Sequence, residues 1–263
     1  MPEIRPCCLT IAGSDSGGNA GIQADLRAFH AYGVHGCTVV AALTAQNPRG
    51  VAAVRSVPPG FVAAQLDAVM GVYDIRALKT GMLADASVIE VVADRVAAHP
   101  EIARVVDPVM VATSGARLVP PSAAAALMER LLPLATVATP NLPEAAALCG
   151  VEGGDAATLA RGVYDRFGCA VLVKGGHADG DVSEDVFFDG RVLRTFSLPR
   201  IPDPVSTHGT GCTLAAAIAA GFAQGCDAAT AIERAKRHVH AAIAGSYPVG
   251  AGCGVLGFVR QER

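Results

Sequence analysis

The chain has 263 residues, 51% hydrophobic and 17% charged, with a formal net charge of -3 and no tryptophan. That size and apolar content suit a globular protein with a sizeable core. The slight acidity argues against nucleic acid as the main partner, because a phosphate-backbone binder needs a clustered basic face.

The one basic run, 233–238, already carries Glu233 and reads as a solvated helix face. No window approaches the ~20 apolar residues of a membrane span. The opening stretch offers only about half a dozen apolar residues, too few for a secretory signal. Eight cysteines, at 7, 8, 37, 149, 169, 212, 226 and 253, are scattered, with no C-x-x-C pair and no His/Cys cluster at metal-ligand spacing. Most therefore read as small buried hydrophobes, and the expected location is the cytoplasm.

In chain order, residues 7–12 have strand length and break into a Gly/Ser/Asp loop, 13–21, before a helical pattern through 32. A second buried strand is expected over 37–44, a turn over 46–50, a short exposed strand over 51–57 and, after two prolines, a helix over 60–72. Then come a strand ending at Gly81, a helix over 85–97, a strand over 104–107, a helix over 122–132 and a strand over 134–139. Helices over 141–148 and 156–167 precede a strand over 170–174 and a hairpin pairing 186–188 with 193–196 across Asp189-Gly190. Ala-rich helices over 213–224 and 228–244 close the pattern.

Strands that are continuous apolar runs, alternating with helices, imply an α/β fold with a mainly parallel sheet covered on both faces. No linker divides the chain, so one domain is expected over 1–263. Ligands of such sheets bind beyond the carboxyl ends of the strands, which directs attention to the residues just after each strand.

Gly209-Thr210-Gly211 leads into a helix, where unpaired amides and small side chains admit a phosphate or a phosphoryl transition state; the plainer reading is a turn feeding a helix. Cys212, in the first turn, is either a base whose thiol the helix N-terminus acidifies or a small buried spacer. The 13–21 loop has neither dinucleotide spacing nor a Walker lysine; its polar groups, among them Ser14, Asp15, Asn19 and Asp25 further on, suit a small polar substrate or a flexible turn. Asp107 and Glu144 are candidate Mg²⁺ carboxylates, with a cap for Asn141 and a surface role for Glu144 as the alternatives. Lys174 reaches a phosphate or is solvated, and the lone loop residue His208 reads as structural or solvent-facing.

Seven segments occur in one order: AGSDSGGNAGIQADLRAF (12–29), ALTAQNPRGV (42–51), KTGML (79–83), DPVM (107–110), TPNLPEAAAL (139–148), VLVKGGH (171–177) and STHGTGCTLAAAI (206–218). Together they resemble the hydroxymethylpyrimidine/phosphomethylpyrimidine kinases of thiamine biosynthesis, in the ribokinase-like superfamily. The resemblance implies a three-layer sandwich and γ-phosphoryl transfer from ATP, with Mg²⁺, to an aminopyrimidine alcohol and then to its monophosphate. It implies a homodimer, with neither nucleic acid nor membrane as partner. It assigns Gln46, Gly13, Asp25, Met82 and Val109 to the pyrimidine pocket, and Asp107 and Glu144 to the metal. Lys174, Asn141 and Thr210 fall to the nucleotide, Gly209, Thr210 and Gly211 to the anion hole, and Cys212 to the activating base. Asn19, Thr80 and Ser206 depart from the commonest family pattern without removing a chemical group. Pyridoxal kinases share the GTGC motif and are the same-class alternative; a catalytically silent pyrimidine sensor is the different-class one.

Overall fold

The computed structural model describes residues 5–110, 120–176, 180–250 and 252–257. His177, the last residue of one motif, lies outside them. A nine-stranded sheet with order β3-β2-β1-β4-β5-β6-β7-β8-β9 forms the middle layer. Its strands are β1 (Cys7–Asp15), β2 (His35–Asn47), β3 (Gly50–Ser56), β4 (Ile75–Thr80), β5 (Ala103–Val106), β6 (Val137–Ala138), β7 (Ala170–Val173), β8 (Val182–Phe188) and β9 (Leu193–Pro199). The run from β2 to β7 is parallel, and β3, β8 and β9 add antiparallel edges.

Strand periodicity explains why the buried runs lack a polar face. On β1, Cys7, Leu9 and Ile11 join one core while Cys8 joins the other; Leu78 and Ala77 on β4 divide likewise. The first core packs under α2 (Pro59–Met70), α3 (Ala86–Ala97), α4 (Pro121–Ala126), α5 (Leu142–Cys149) and α6 (Ala156–Phe167). The second packs under α1 (Gly21–Ala31), α7 (Thr210–Ala223) and α8 (Ala228–Ala244). Helix α7 has ten buried residues, from Thr213 to Ala223, because its alanines let it sit close against the sheet and against α1 and α8.

Three local readings change. The helix expected over 122–132 passes from α4 into a π-helical turn, Leu127–Leu131, and a 3₁₀ turn, Leu132–Leu134, where Pro133 has no N–H to continue the ladder. That turn absorbs the start of the strand expected over 134–139, leaving β6 two residues long. A small hairpin, β10 (Tyr247–Gly250) with β11 (Cys253–Val255), follows α8 and has no counterpart in the expected elements. Its four-residue first strand is exposed throughout and carries no apolar alternation to signal it.

Candidate active site

A cavity of about 430 Å³ opens at the carboxyl ends of the parallel strands, within the usual range for small-molecule sites. One end is lined by the ends of β1 and β2 and by residues following β4 and β5, the other by β8, β9 and α8, with the start of α7 between.

Helix α7 begins at Thr210, and its N-cap, Gly209, has φ +91°. A side chain there would be strained, and its Cβ would collide with the Asn19 carbonyl oxygen. The first intrahelical bond runs from the Thr213 N–H to the Gly209 carbonyl at 3.0 Å. The amides of Gly211 and Cys212 precede it and have no acceptor within the helix. A Cβ on Gly211 would lie 3.4 Å from Lys174 Nζ and 3.9 Å from Asp107 Oδ2, so a bare backbone faces this charge pair.

Cys212 lines the cavity and is half-buried. The N–H of Gly21, first residue of α1, donates to its sulfur, so two helix N-termini meet at one thiol. The thiol is not acidified as its place in the first turn of α7 predicts. Burial pushes the Cys212 thiol above its ordinary value, with the Asp25 and Asp107 carboxylates adding to the rise, against the pull of Lys79 and the Gly21 amide. Desolvation of the thiolate outweighs the helix-end dipoles.

Beneath the sulfur lies a buried ion pair. Lys79 Nζ, on β4, donates to both oxygens of Asp25, on α1, at 3.0 and 2.9 Å, and Thr10 Oγ1 donates to the same carboxylate. Both charged side chains are fully buried. Burial works against the Lys79 charge, but Asp25, Cys212 and Asp107 hold its ammonium above the ordinary lysine value. Burial raises the Asp25 carboxyl, opposed by Lys79 and Thr10. Lys79 reaches the cavity wall, whereas Asp25 sits behind it and is not among the lining residues.

At the ends of β5 and β7, Lys174 Nζ donates to Asp107 Oδ1 at 2.8 Å, and Thr139 Oγ1 donates to the same oxygen at 3.3 Å. Asn141 and Glu144 form a reciprocal capping box for α5: the Glu144 N–H donates to Asn141 Oδ1 and the Asn141 N–H to Glu144 Oε2, both at 2.8 Å. Glu144 is buried rather than on the surface, and it and Asn141 line the cavity. Burial, reinforced by Asp107, raises the Glu144 carboxyl despite Lys174. The Lys174 ammonium stays above its ordinary value because Asp107 and Glu144 outweigh its burial.

The opposite end gathers Gly13, Gln46, Met82 and Val109. Strand β2 overshoots β1 and pairs with β3, so Gln46 overhangs the cavity on a hairpin. Ser16 ties the hairpin down: its hydroxyl donates to the Gln46 carbonyl and accepts from the Gln46 N–H, each at 2.8 Å. Asp15 accepts from the amides of Gly17, Asn19 and Ala20. Burial alone would raise its carboxyl, but His208 and these amides hold it below the usual value.

His208 is not the detached loop residue its sequence context suggests. Its Nε2 lies 3.6 Å from Asp15 and 3.4 Å from Gln46 Nε2, which links the loop before α7 to the pyrimidine-pocket candidates. Asp185 and Lys236 also line the cavity, although no sequence motif marks them. They pair at 2.8 Å at the far end of the cavity, with apolar Leu198, Ile201, Val239 and Ile243. Lys236 belongs to the basic run read as a solvated face, and it is buried. Its i, i+4 relation to Ile232 was the available signal.

A helix entrance with unpaired amides facing a lysine and paired carboxylates, at the carboxyl edge of a parallel sheet in a three-layer sandwich, is the arrangement of a ribokinase-like phosphotransferase. The model of the phosphomethylpyrimidine kinase family matches residues 15–257, and the chain belongs to that family. It is 52% identical over 239 residues to the hydroxymethylpyrimidine/phosphomethylpyrimidine kinase of Rhizobium meliloti (strain 1021), covering 89% of each chain. It superposes on an ADP complex of Bacillus subtilis pyridoxal kinase with a TM-score of 0.89 and 35% identity, covering 97% of this chain and 98% of that one. Against phosphomethylpyrimidine kinase from Clostridium difficile 630 the TM-score is 0.79 at 34% identity, covering 89% and 98%.

Proposed function

We propose that the protein transfers the γ-phosphoryl group of ATP to the hydroxymethyl group of 4-amino-5-hydroxymethyl-2-methylpyrimidine, and then to the resulting monophosphate, in thiamine diphosphate biosynthesis. The observation that carries this reading is the start of α7. Its free amides lie beside Lys174 and Asp107, and its thiol faces the cavity between the Gln46 end and the Lys236 end. The acceptor occupies the first end, with Gln46 hydrogen-bonding the aminopyrimidine edge and Gly13, Met82 and Val109 packing the ring. The nucleotide occupies the second, its base against Leu198, Ile201, Val239 and Ile243 and its phosphates toward Lys174, Asn141 and Thr210. Cys212, as thiolate, takes the hydroxyl proton while the acceptor oxygen bonds to γ-phosphorus and the bond to the β–γ bridging oxygen breaks. The amides of Gly211 and Cys212, with Gly209 and Thr210 shaping their approach, meet the charge on the equatorial oxygens. Asp25 serves this pocket from behind, through Lys79.

Asp107 and Glu144 against one lysine leave an excess negative charge among oxygen donors; burial is the main cause of the raised Glu144 carboxyl, and Asp107 adds to it. That set suits a hard cation, and these two residues would hold Mg²⁺. When bound, Mg²⁺ supplies charge neutralisation at the phosphate oxygens.

A homodimer is part of this reading: Leu43, on the overhanging end of β2, is 55% exposed and would be covered by a second copy. Cytoplasmic residence agrees with cysteines that are all free among the described residues. No described helix is long and apolar enough to cross a membrane. The residues 1–263 act as one kinase domain.

Competition between the pyrimidine alcohol and pyridoxal in a coupled ADP-release assay tests the substrate. The higher kcat/KM should belong to the pyrimidine, and Gln46→Ala should raise its KM with little change in kcat. The likeness to the B. subtilis enzyme supports pyridoxal as the second reading, and a higher kcat/KM for pyridoxal would select it. MgATP turnover with neither would favour a pyrimidine-binding sensor.

A further inference from the structure

His35 and Cys37 supply only two closely spaced ligating residues in the sequence, and the fold adds a third, Cys7, at the end of β1 away from the cavity. Strands β1 and β2 are parallel neighbours, with Cys7 opposite His35 and Leu9 opposite Cys37. His35 and Cys37 are two residues apart and share one face of β2, and Cys7 and Cys37 contribute to the same core. Cys7 Sγ and Cys37 Sγ are 3.5 Å apart, and one ligand atom from each of the three residues lies within 4.8 Å of the others. We propose that Cys7, His35 and Cys37 form a binding site for a borderline-soft divalent cation of the zinc class.

Tetrahedral coordination with metal–sulfur bonds of about 2.3 Å places two thiolates roughly 3.7 Å apart, so the pair needs almost no movement. Two sulfurs and an imidazole select zinc-like ions over the hard Mg²⁺ suited to the carboxylates of the kinase site. The thiols are 6% and 7% exposed, whereas His35 is exposed and stacks on Tyr73 at 5.5 Å between ring centroids. The cation therefore enters from the imidazole side, where water fills the fourth position. Binding breaks two S–H bonds, forms two sulfur–metal bonds and releases two protons to solvent. The imidazole donates a lone pair, the ion stays divalent, and the loaded cluster is neutral. Without the cation, burial, the Cys37 contact and the Asp74 charge push the Cys7 thiol up to about 12. Direct bonding of the thiolate to a cation offsets these effects. Cys7 and Asp15 stand at opposite ends of β1, about 26 Å apart at the usual rise per residue, so the site is separate from the kinase cavity.

The test is titration of the full-length, metal-free, reduced protein with Co²⁺, followed by thiolate-to-cobalt charge-transfer absorption. One equivalent should develop the band and one equivalent of Zn²⁺ should bleach it. Cys7→Ser and Cys37→Ser should each weaken binding by more than the roughly 10- to 100-fold expected for loss of an outer-shell partner, while Cys212→Ala should leave the band intact. His35→Ala changes an exposed side chain and keeps both thiols, so it should fold normally. The unmodified protein should show a Zn²⁺-induced rise in Tm, and this variant should lose it. Absence of the band, its survival in Cys7→Ser, or its loss in Cys212→Ala overturns the proposal. So does a disulfide between Cys7 and Cys37 in protein alkylated on isolation.

Discussion

Cys212 joins two opposing influences on one sulfur. The Gly21 amide and Lys79 favour the thiolate, while burial and two carboxylates disfavour it, and the second group wins. A thiol held above its ordinary value is mostly protonated at neutral pH. A rate that depends on its thiolate therefore climbs with pH, by up to about tenfold per unit, until the thiol has titrated. Cys212→Ala should lower kcat by about 10²-fold or more, with a smaller effect on acceptor KM, and should flatten that alkaline rise. Steady-state pH profiles of both proteins decide it, and a near-normal rate in the variant would remove the base role. The candidates at this scale are legible because Gln46 stands near the end of a strand, Asp107 and Lys174 just after one, and the Gly209–Cys212 run at the start of a helix. In the sequence Asp15 is only one polar group of a loop and His208 a lone loop histidine. Their association depends on two loops about 190 residues apart meeting, as a separation of 3.6 Å records.

Among the elements, α7 does the most to organise the site, and its entrance depends on one backbone conformation. Gly209 at φ +91° turns the chain so that the next amides point outward, with the Asn19 carbonyl pressed against it. Gly209→Ala adds a Cβ where there is neither conformational allowance nor space. It should reduce kcat by about 10²- to 10³-fold, the cost of losing an oxyanion donor, and lower Tm; kinetics and thermal melts on one preparation check both. Helices α6 and α8 lie where their periodicity places them, 156–167 and 228–244, because each has a capping aspartate and one apolar face. Strand β6 was overestimated because apolar residues at 134–135 look the same to a pattern whether they end a helix or begin a strand.

For the molecule as a whole, the Lys79–Asp25 pair ties the central strand β4 to α1 across the β1 layer. Removing one partner strands a buried charge, and Lys79→Met should cost about 3–5 kcal/mol, a fall in Tm of roughly 10 °C. Lys79→Met combined with Asp25→Leu should recover most of that loss, since an apolar pair leaves no charge uncompensated. Thermal denaturation of the single and double variants measures the difference, and equal losses would show that the ion pair itself stabilises the fold.

The sequence by itself determined the alternation of strands and helices, the mainly parallel sheet and the family motifs, because burial on both faces imposes continuous apolar runs and strand ends carry the polar exceptions. Tertiary structure alone decided the ionisation of Cys212, the burial of Lys79 with Asp25, the reach of His208 and the meeting of Cys7, His35 and Cys37. These depend on desolvation and on distances between residues far apart in the chain, which no local pattern encodes.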